Sequence, residues 1–594
     1  MNMNQNLAKD AAAALDEKRM GAAETRPEQN KGREGMRQWM AKMQENSYLT
    51  DPDIVHTFRY WLGAAYEELH PELVSFGAQV PAELEPAVME NDLRFNNPRV
   101  EHFNGIGDRD DRIIHHPKYN EAGNIIYGSG MIKRLGTLGG LKEGMAFFLL
   151  SSYAGEAGHN CPIACTFETV RLLRYVDDFP ERQHWIDMLE VPSYDDNFTS
   201  SQFLTEVQGG SDVGKNATKA WKDSDGNWRI RGEKWFCSNA NAELMVITAR
   251  HSEELKGTKG LSVFIVPARK PDGSKNDFTF RRLKEKMGTK ALASSEIDFH
   301  DAYAVPAGSV ERGFNRMMEQ VVHFSRISLA ISVLGMNERA YQTARNYADT
   351  REAFGNTIID YPLVQENLAG IKTDVTVGLA GMYALLAGQD DADTGKEMPD
   401  YMHAFLRLMT NISKSIISKR VVDNVHHSID TLGGNGAIET QSSLPRLLRD
   451  SVIYENWEGT HNTLIVQVQR DIARYAHDEA YFKAMEDYLA MLPTSVASEK
   501  AKAESYLTVL KKDMEACKSS STALQSMKLK KLIERMADIF YYVITLLEAA
   551  DQKESGLGES KFAAAEYHRL NRLETSDIEW NEETLALIKA VVSA

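Results

Sequence analysis

The sequence predicts a multidomain α+β protein, mostly α, in which one β-rich block separates long helical stretches. Three observations predict it. Apolar residues recur at helical spacing from about 51 to 200 and again beyond Pro306. Between roughly 200 and 305 the pattern changes to short β-branched runs set among turn residues. The chain has 594 residues, 43% hydrophobic and 26% charged, which is too much ordinary globular sequence for a single core.

Residues 1–50 are polar and rich in Ala, Glu and Lys, and read as an arm of weak helical character. Residues 51–200 form an N-terminal helical domain, where Val55, Phe58, Trp61 and Leu62 fall on one apolar face. An irregular polar insertion from Asn96 to Tyr127 interrupts it, and helices resume at Leu141–Tyr153 and Phe167–Tyr175. Residues 201–305 read as a small antiparallel β-domain with strands at 228–230, 244–248, 261–266 and 296–299. Its clearest hairpin signal is Asp225-Gly226. Residues 306–480 carry four amphipathic stretches, 314–349, 363–388, 404–432 and 464–476, expected to pack as a helical bundle. Residues 481–594 add a C-terminal helical extension, broken at Gly556-Leu557-Gly558.

Composition excludes several classes. A net charge of −17 argues against nucleic acid as the principal ligand, because a duplex is itself densely anionic. No apolar run is long enough to cross a bilayer; the best, 539–550, is short and carries Glu548. The start lacks both a basic head and a signal-type apolar stretch, so a cytoplasmic protein is expected. Four cysteines are too few for a disulfide framework, and Cys161 and Cys165 are spaced as packed helical thiols. His115-His116 and His426-His427 lack carboxylate or thiol partners at ligand spacing, so no metal site is expected.

Five segments carry chemistry. Gly209-Gly210-Ser211-Asp212-Val213-Gly214-Lys215-Asn216 nearly spells a P-loop, but Asn216 stands where a Mg²⁺-binding hydroxyl belongs, and no helix follows. It reads either as a plain tight turn or as a Gly-rich turn meeting a dinucleotide pyrophosphate. Gly433-Gly434-Asn435-Gly436 lacks Rossmann spacing and is either a helix C-terminus or a bare surface for a flat or phosphate-bearing ligand. Phe236 and Ser238 share one face of a probable strand, as core and rim or as a face stacked on a flavin. Arg345, Arg351, Phe354-Gly355 and Gln365 follow the first bundle helix and could equally be solvated side chains. Finally, Glu458 lies between Trp457 and Gly459-Thr460, just beyond a helical segment. A poorly solvated carboxylate there would accept a proton near neutral pH.

Taken together, Thr205–Asp212, Gly232–Asn239, Lys286–Gly288, Arg351–Gly355, Thr431–Gly436 and Arg449–Thr460 resemble the acyl-CoA dehydrogenase superfamily. Asn97-Pro98-Arg99, His116-Pro117-Lys118-Tyr119 and Leu444-Pro445-Arg446-Leu447 resemble its AidB-like branch, which carries an extra helical C-terminal domain. The resemblance implies an N-terminal helical domain, a middle β-barrel and a C-terminal four-helix bundle, with FAD between barrel and bundle. It implies that Thr205 and Ser211 touch the flavin and pyrophosphate, that Phe236 and Ser238 line the ring, and that Thr460 and Asn462 close the site. Arg351, Gln365, Gly433, Gly434 and Gly436 would reach the FAD of a neighbouring subunit. The chain departs from the family at Phe236, where tryptophan is frequent, and at Asp430 and Asn462, where glutamine is.

Two placements of the base are known in the superfamily. One is the Glu of the aromatic-Glu-Gly motif, here Glu458; the other precedes a bundle arginine, here Arg326, but that position holds Ser325. Glu458 is therefore the expected catalytic base, with Arg326 and Gly459 at the substrate. The implied activity is α,β-dehydrogenation of an acyl-CoA in fatty acid metabolism, with electron-transferring flavoprotein as oxidant and a homodimer or homotetramer as the assembly. The alternative is an AidB-like flavoprotein that binds acyl-CoA or nucleic acid with little turnover.

Overall fold

A computed structural model describes residues 27–574 and 581–593 of the chain. Asp51 opens the first helical layer by capping the Pro52–Leu62 helix, its carboxylate accepting from the N–H groups of Asp53 and Ile54. The expected apolar face forms: Phe58 and Leu62 are buried, and the Trp61 indole donates to Glu548 at 2.6 Å. Behind it stand the Tyr66–Gln79, Leu141–Ser151 and Asn160–Tyr175 helices. Of the N-terminal arm, Pro27–Lys42 is helical, and residues 1–26 lie outside the described residues.

The insertion expected to be irregular is ordered. β1 (Arg99–Phe103) pairs antiparallel with β2 (Arg109–Ile114), and the Pro117–Gly128 helix follows. Both strands are charged and partly exposed on each face, so no hydrophobic alternation marks them. They dock on the β-block through Val100 and Ile113, packed against its core, and through polar contacts: the Phe280 N–H donates to Asp111 at 2.8 Å, and Asp111 also meets His102 at 2.9 Å.

The β-block contains β3 (Ser200–Phe203), β4 (Lys219–Lys222), β5 (Trp228–Ser238), β6 (Leu244–Arg250), β7 (Leu261–Pro267), β8 (Phe278–Leu283) and β9 (Ser294–Pro306). The sheet closes on itself through β6–β4–β5–β9–β7–β6, with β3 added on β6 and β8 on β9. Phe203, Ile230, Cys237, Met245, Phe264, Ile297 and Phe299 fill its interior. The antiparallel expectation needs correcting, since β3 and β4 both run parallel to β6. Parallel partners need a long crossover, here everything between residues 203 and 244, and local turn signals do not report it.

Beyond the β-block, the His323–Thr350, Pro362–Asp393 and Asp400–Leu432 helices pack on one another, and Leu444–Asn456 and His461–Tyr475 lie against the third. The Thr522–Glu554 helix then lies on Pro362–Asp393. The approach is close enough that a Cβ on Gly381 would run into the Tyr541 ring. Its Glu548 accepts from Thr57 at 2.8 Å and pairs with the buried Lys561, tying the C-terminal helices to the N-terminal ones.

Candidate active site

The Leu444–Asn456 helix stops where Trp457 turns extended, and Glu458 and Gly459 then take positive φ of 55° and 108°. Glycine adopts that region freely, whereas a glutamate pays about 1–2 kcal/mol. Two buried cations hold the turn by its carbonyls. Arg326 Nε donates to Glu458 O at 3.0 Å, and Lys414 Nζ donates to Glu455 O and Gly459 O, both at 2.9 Å. Asn411 Oδ1 fixes the guanidinium from the other side at 2.5 Å. His461 completes the clamp, between Ser415 at 2.9 Å and Glu455 at 3.0 Å. A Cβ at position 459 would stand 3.3 Å from Leu464 and 3.7 Å from Arg326.

These contacts set the charge of the site. Burial pushes the Glu458 carboxyl above the usual carboxylate range, and Arg326 and then Lys414 pull it partly back. Burial takes Lys414 down to about 7 against the attraction of Glu458. Arg326 falls to about 10 through burial and stays cationic at neutral pH. The result is a carboxyl group with a raised proton affinity, braced by charges that touch the backbone of its turn.

A second carboxyl stands in the same neighbourhood. Glu168, on the Asn160–Tyr175 helix, is fully buried and accepts from Ser325 at 2.8 Å and from Gln202. Ser325 is the residue next to Arg326, where the sequence offers no carboxylate; the structure brings one there from another helix. Spacing along one chain cannot register such a contact. Lys414 and Asn411 are likewise absent from the sequence expectations, being polar residues in the middle of a long helix with no motif around them. Cys161 and Cys165 are free thiols on the helix that carries Glu168. No cluster of three metal-ligating side chains occurs among the described residues.

The expected cofactor residues fall in three places. Ser211 Oγ lies 3.2 Å from Thr463 Oγ1, and Thr460 Oγ1 lies 3.0 Å from the same atom, so β-block and bundle meet at three hydroxyls. Thr205 borders them, its Oγ1 3.1 Å from where a Cβ on Gly210 would sit. Asn462 is exposed on the first turn of the His461–Tyr475 helix, whose N-terminus has no side-chain cap. An uncapped N-terminus ringed by hydroxyls suits a phosphate. Thr463 is a member that sequence reading missed, hidden as an ordinary helix residue.

The second place is the end of β5, where a register shift between Lys234 and Cys237 frees Trp235 and Phe236 from regular pairing. Phe236 is 52% exposed, with Lys284 Nζ 4.9 Å from its ring centre. Ser238 Oγ lies 2.9 Å from Ser294 Oγ, which accepts from Lys286 at 2.8 Å. The third place is the far end of the bundle. Arg351 is exposed there beside Phe354 and Gly355, and Tyr347 accepts from Asn435 at 2.9 Å, which draws in the Gly433–Ala437 turn. Gly433 and Gly434 border open space, while a Cβ on Gly436 would meet Ile429 O at 2.5 Å. Gln365 keeps a buried Oε1 without a hydrogen-bond partner among the described residues. No hydrogen bond or ion pair among the described residues joins this third group to Glu458.

Three family models match in succession: the adaptive response protein AidB N-terminal domain over residues 38–196, the acyl-CoA dehydrogenase middle domain over 201–302, and the acyl-CoA dehydrogenase C-terminal domain over 311–473. Acyl-CoA dehydrogenase family member 11 of Caenorhabditis elegans is 29% identical over 82% of this chain and 78% of its own. AidB of Escherichia coli (strain K12) is 32% identical over 54% of this chain and 58% of its own. The crystal structure of C. elegans ACDH-11 in complex with C11-CoA superposes with a TM-score of 0.82 and 27% identity, covering 91% of this chain and 92% of that one. An acyl-CoA dehydrogenase from Bacillus anthracis, complexed with FAD, shares the fold at a TM-score of 0.63 and 16% identity, over 91% and 87% of the two chains. With its three matched regions in family order around the Glu458 turn, the chain belongs to the acyl-CoA dehydrogenase superfamily, in the AidB-like branch.

Proposed function

We propose that this chain is an FAD-dependent acyl-CoA dehydrogenase that forms a Cα–Cβ double bond in an acyl-CoA thioester. The observation that carries the reading is the Glu458 turn: a carboxyl raised by burial, on a turn whose backbone is fixed by Arg326 and Lys414. The acyl-CoA complex of the 27%-identical relative supports the substrate class. The B. anthracis relative is the one complexed with FAD. The hydroxyls of Thr205, Ser211 and Thr460, with the helix start at Asn462, would hold the pyrophosphate. Phe236 and Ser238 would face the flavin ring. Arg351, Gln365, Gly433, Gly434 and Gly436 would serve the cofactor of a neighbouring subunit in a homodimer or homotetramer.

Glu458 removes the α-proton as its carboxylate. Its backbone N–H stabilises the negative charge that develops on the thioester oxygen; loss of one such donor costs about 10²–10³ in rate. Arg326 and Lys414 keep the base ionised before the step and keep its strained backbone in place, with Gly459 leaving room for the thioester. FAD, when bound, supplies the acceptor for the electron pair and hydrogen that leave Cβ. Electron-transferring flavoprotein would then reoxidise the protein, in the cytoplasm, within fatty acid metabolism. Among the described residues no helix is long and apolar enough to cross a membrane.

The test is an anaerobic titration of the purified flavoprotein with acyl-CoAs of graded length and branching. Bleaching of the flavin with at least one member is expected. Binding heat without bleaching across the series would instead favour a protein that holds acyl-CoA with little turnover, and steeply salt-dependent duplex binding would favour nucleic acid.

A further inference from the structure

The reaction above leaves Lys286 unused. It stands on the loop between β8 and β9, half-buried, and its Nζ donates to Leu292 O at 2.7 Å and to Ser294 Oγ at 2.8 Å. Ser294 opens β9 opposite Ser238, the last residue of β5, and their hydroxyl oxygens are 2.9 Å apart. Ser238 is only half-buried, and Phe236, two residues back on the same strand, is exposed. A ligand can therefore reach this end of the sheet from outside.

The direction of the chain follows from what each group can do. An ammonium has donors and no acceptor, so Ser294 Oγ accepts from Lys286. The hydrogen of Ser294 is then left for Ser238 Oγ, its other partner. Ser238 accepts it and keeps its own hydrogen free to donate outward, where no acceptor lies among the described residues. Hydrogen bonds in series polarise one another, and a charged donor at the head strengthens them.

No contact ion pair cancels that charge. Lys284, two residues earlier, is paired with Glu296 at 2.8 Å, whereas no carboxylate lies within ion-pair distance of Lys286 among the described residues. The acids that face it direct their oxygens to backbone N–H groups. Glu156 accepts from Gly158 and Cys161, and Asp450 from Thr289 and Glu156. Burial lowers the Lys286 pKa to about 8, with Glu156, Cys161 and Asp450 holding it up, so the amine is a cation at neutral pH.

We infer that Lys286 is a positioning residue for the flavin's redox balance: through Ser294 it polarises the Ser238 hydroxyl toward the ring and so favours the reduced cofactor over the oxidised one. Reduction adds electron density to the ring nitrogens, and a strengthened donor beside them stabilises the reduced ring more than the oxidised one. The inference rests on the FAD reading, with Ser238 at the ring, and goes beyond it by giving Lys286 and Ser294 a task. A lysine that only fastened the loop through Leu292 O would stabilise the fold and leave the cofactor's potential alone.

The experiment measures the two-electron midpoint potential of the purified FAD-loaded protein, without acyl-CoA, in wild type, Lys286→Met and Ser294→Ala. In each variant the preference for reduced over oxidised flavin should fall about tenfold, which is a midpoint about 30 mV more negative. An S294A midpoint equal to wild type, with FAD bound, would overturn the inference and leave the FAD reading intact. K286M that melts earlier at an unchanged potential would overturn it too, showing a fastening role alone. Should K286M fail to fold, S294A decides by itself, since it removes a single oxygen. Wild-type protein that retains no FAD would take both readings down together.

Discussion

Lys414 shows how much of the site depends on charges that never touch the substrate. It is buried, titrates at about 7, and donates to two carbonyls of the Glu458 turn, those of Glu455 and Gly459. Below that pH it is a cation beside Glu458 and favours the ionised base. The base must be ionised to act, so kcat/KM should rise with pH through the raised Glu458 pKa. In Lys414→Met a favourable cation is gone, so this acid limb should move to higher pH. The difference from wild type should fade above about pH 7, where the native lysine is itself neutral. pH profiles of kcat/KM for both proteins check this, and superimposable acid limbs would remove Lys414 from that role. Glu458 itself was legible in the sequence, because an aromatic-Glu-Gly-Thr run is contiguous. Lys414, Asn411, Thr463 and Glu168 were not. They enter the site from three different helices, and only the packing of those helices brings them together.

At the scale of elements, β-block geometry depends on a buried pair that the sequence presents as two unrelated residues. Lys234 of β5 and Glu206 of the Gly-rich loop meet at 2.8 Å, both out of water, and Glu206 also accepts from the N–H groups of Ala217 and Thr218. That places the loop carrying Gly210 and Ser211 against β5. Lys234→Met should leave an uncompensated buried carboxylate and cost about 3–5 kcal/mol in urea unfolding. The double variant with Glu206→Gln should recover much of that loss. A single variant as stable as wild type would mean the pair does not hold the loop. Periodicity made the helices and most strands legible, since Phe58 and Leu62 or Ile230 and Met245 announce one face each. It could not reveal β1 and β2, which set only Val100 and Ile113 against the β-block core among charged residues, or the parallel pairing of β3 and β4 with β6, which joins residues far apart in the chain.

Across the whole molecule, the C-terminal helices are fastened to the N-terminal ones. Lys561 pairs with Glu548, which also receives Thr57 and Trp61, while Gln552 and Ser560 donate to Asp53 at 3.0 and 2.5 Å. Lys561→Met should strip the buried Glu548 of its counter-ion and lower stability by about 3–5 kcal/mol. Limited proteolysis should then open the chain first near Pro493, between the Met491 and Ala497 helix ends. Unchanged cleavage and melting would show that the extension holds without this pair. Sequence patterning announced extra helices but not their seat, since the contacts lie almost 500 positions apart, as between Thr57 and Glu548 at a separation of 491.

The proton-abstracting role of Glu458 is tested most directly by Glu458→Gln, purified with its yellow flavin and mixed anaerobically with an acyl-CoA that bleaches the wild type. The amide keeps the shape of the turn and its bonds to Arg326 and Lys414, which grip only the backbone. Retained FAD with the bleaching rate reduced by at least about 10³ is the predicted result. Bleaching at the wild-type rate would place the base elsewhere.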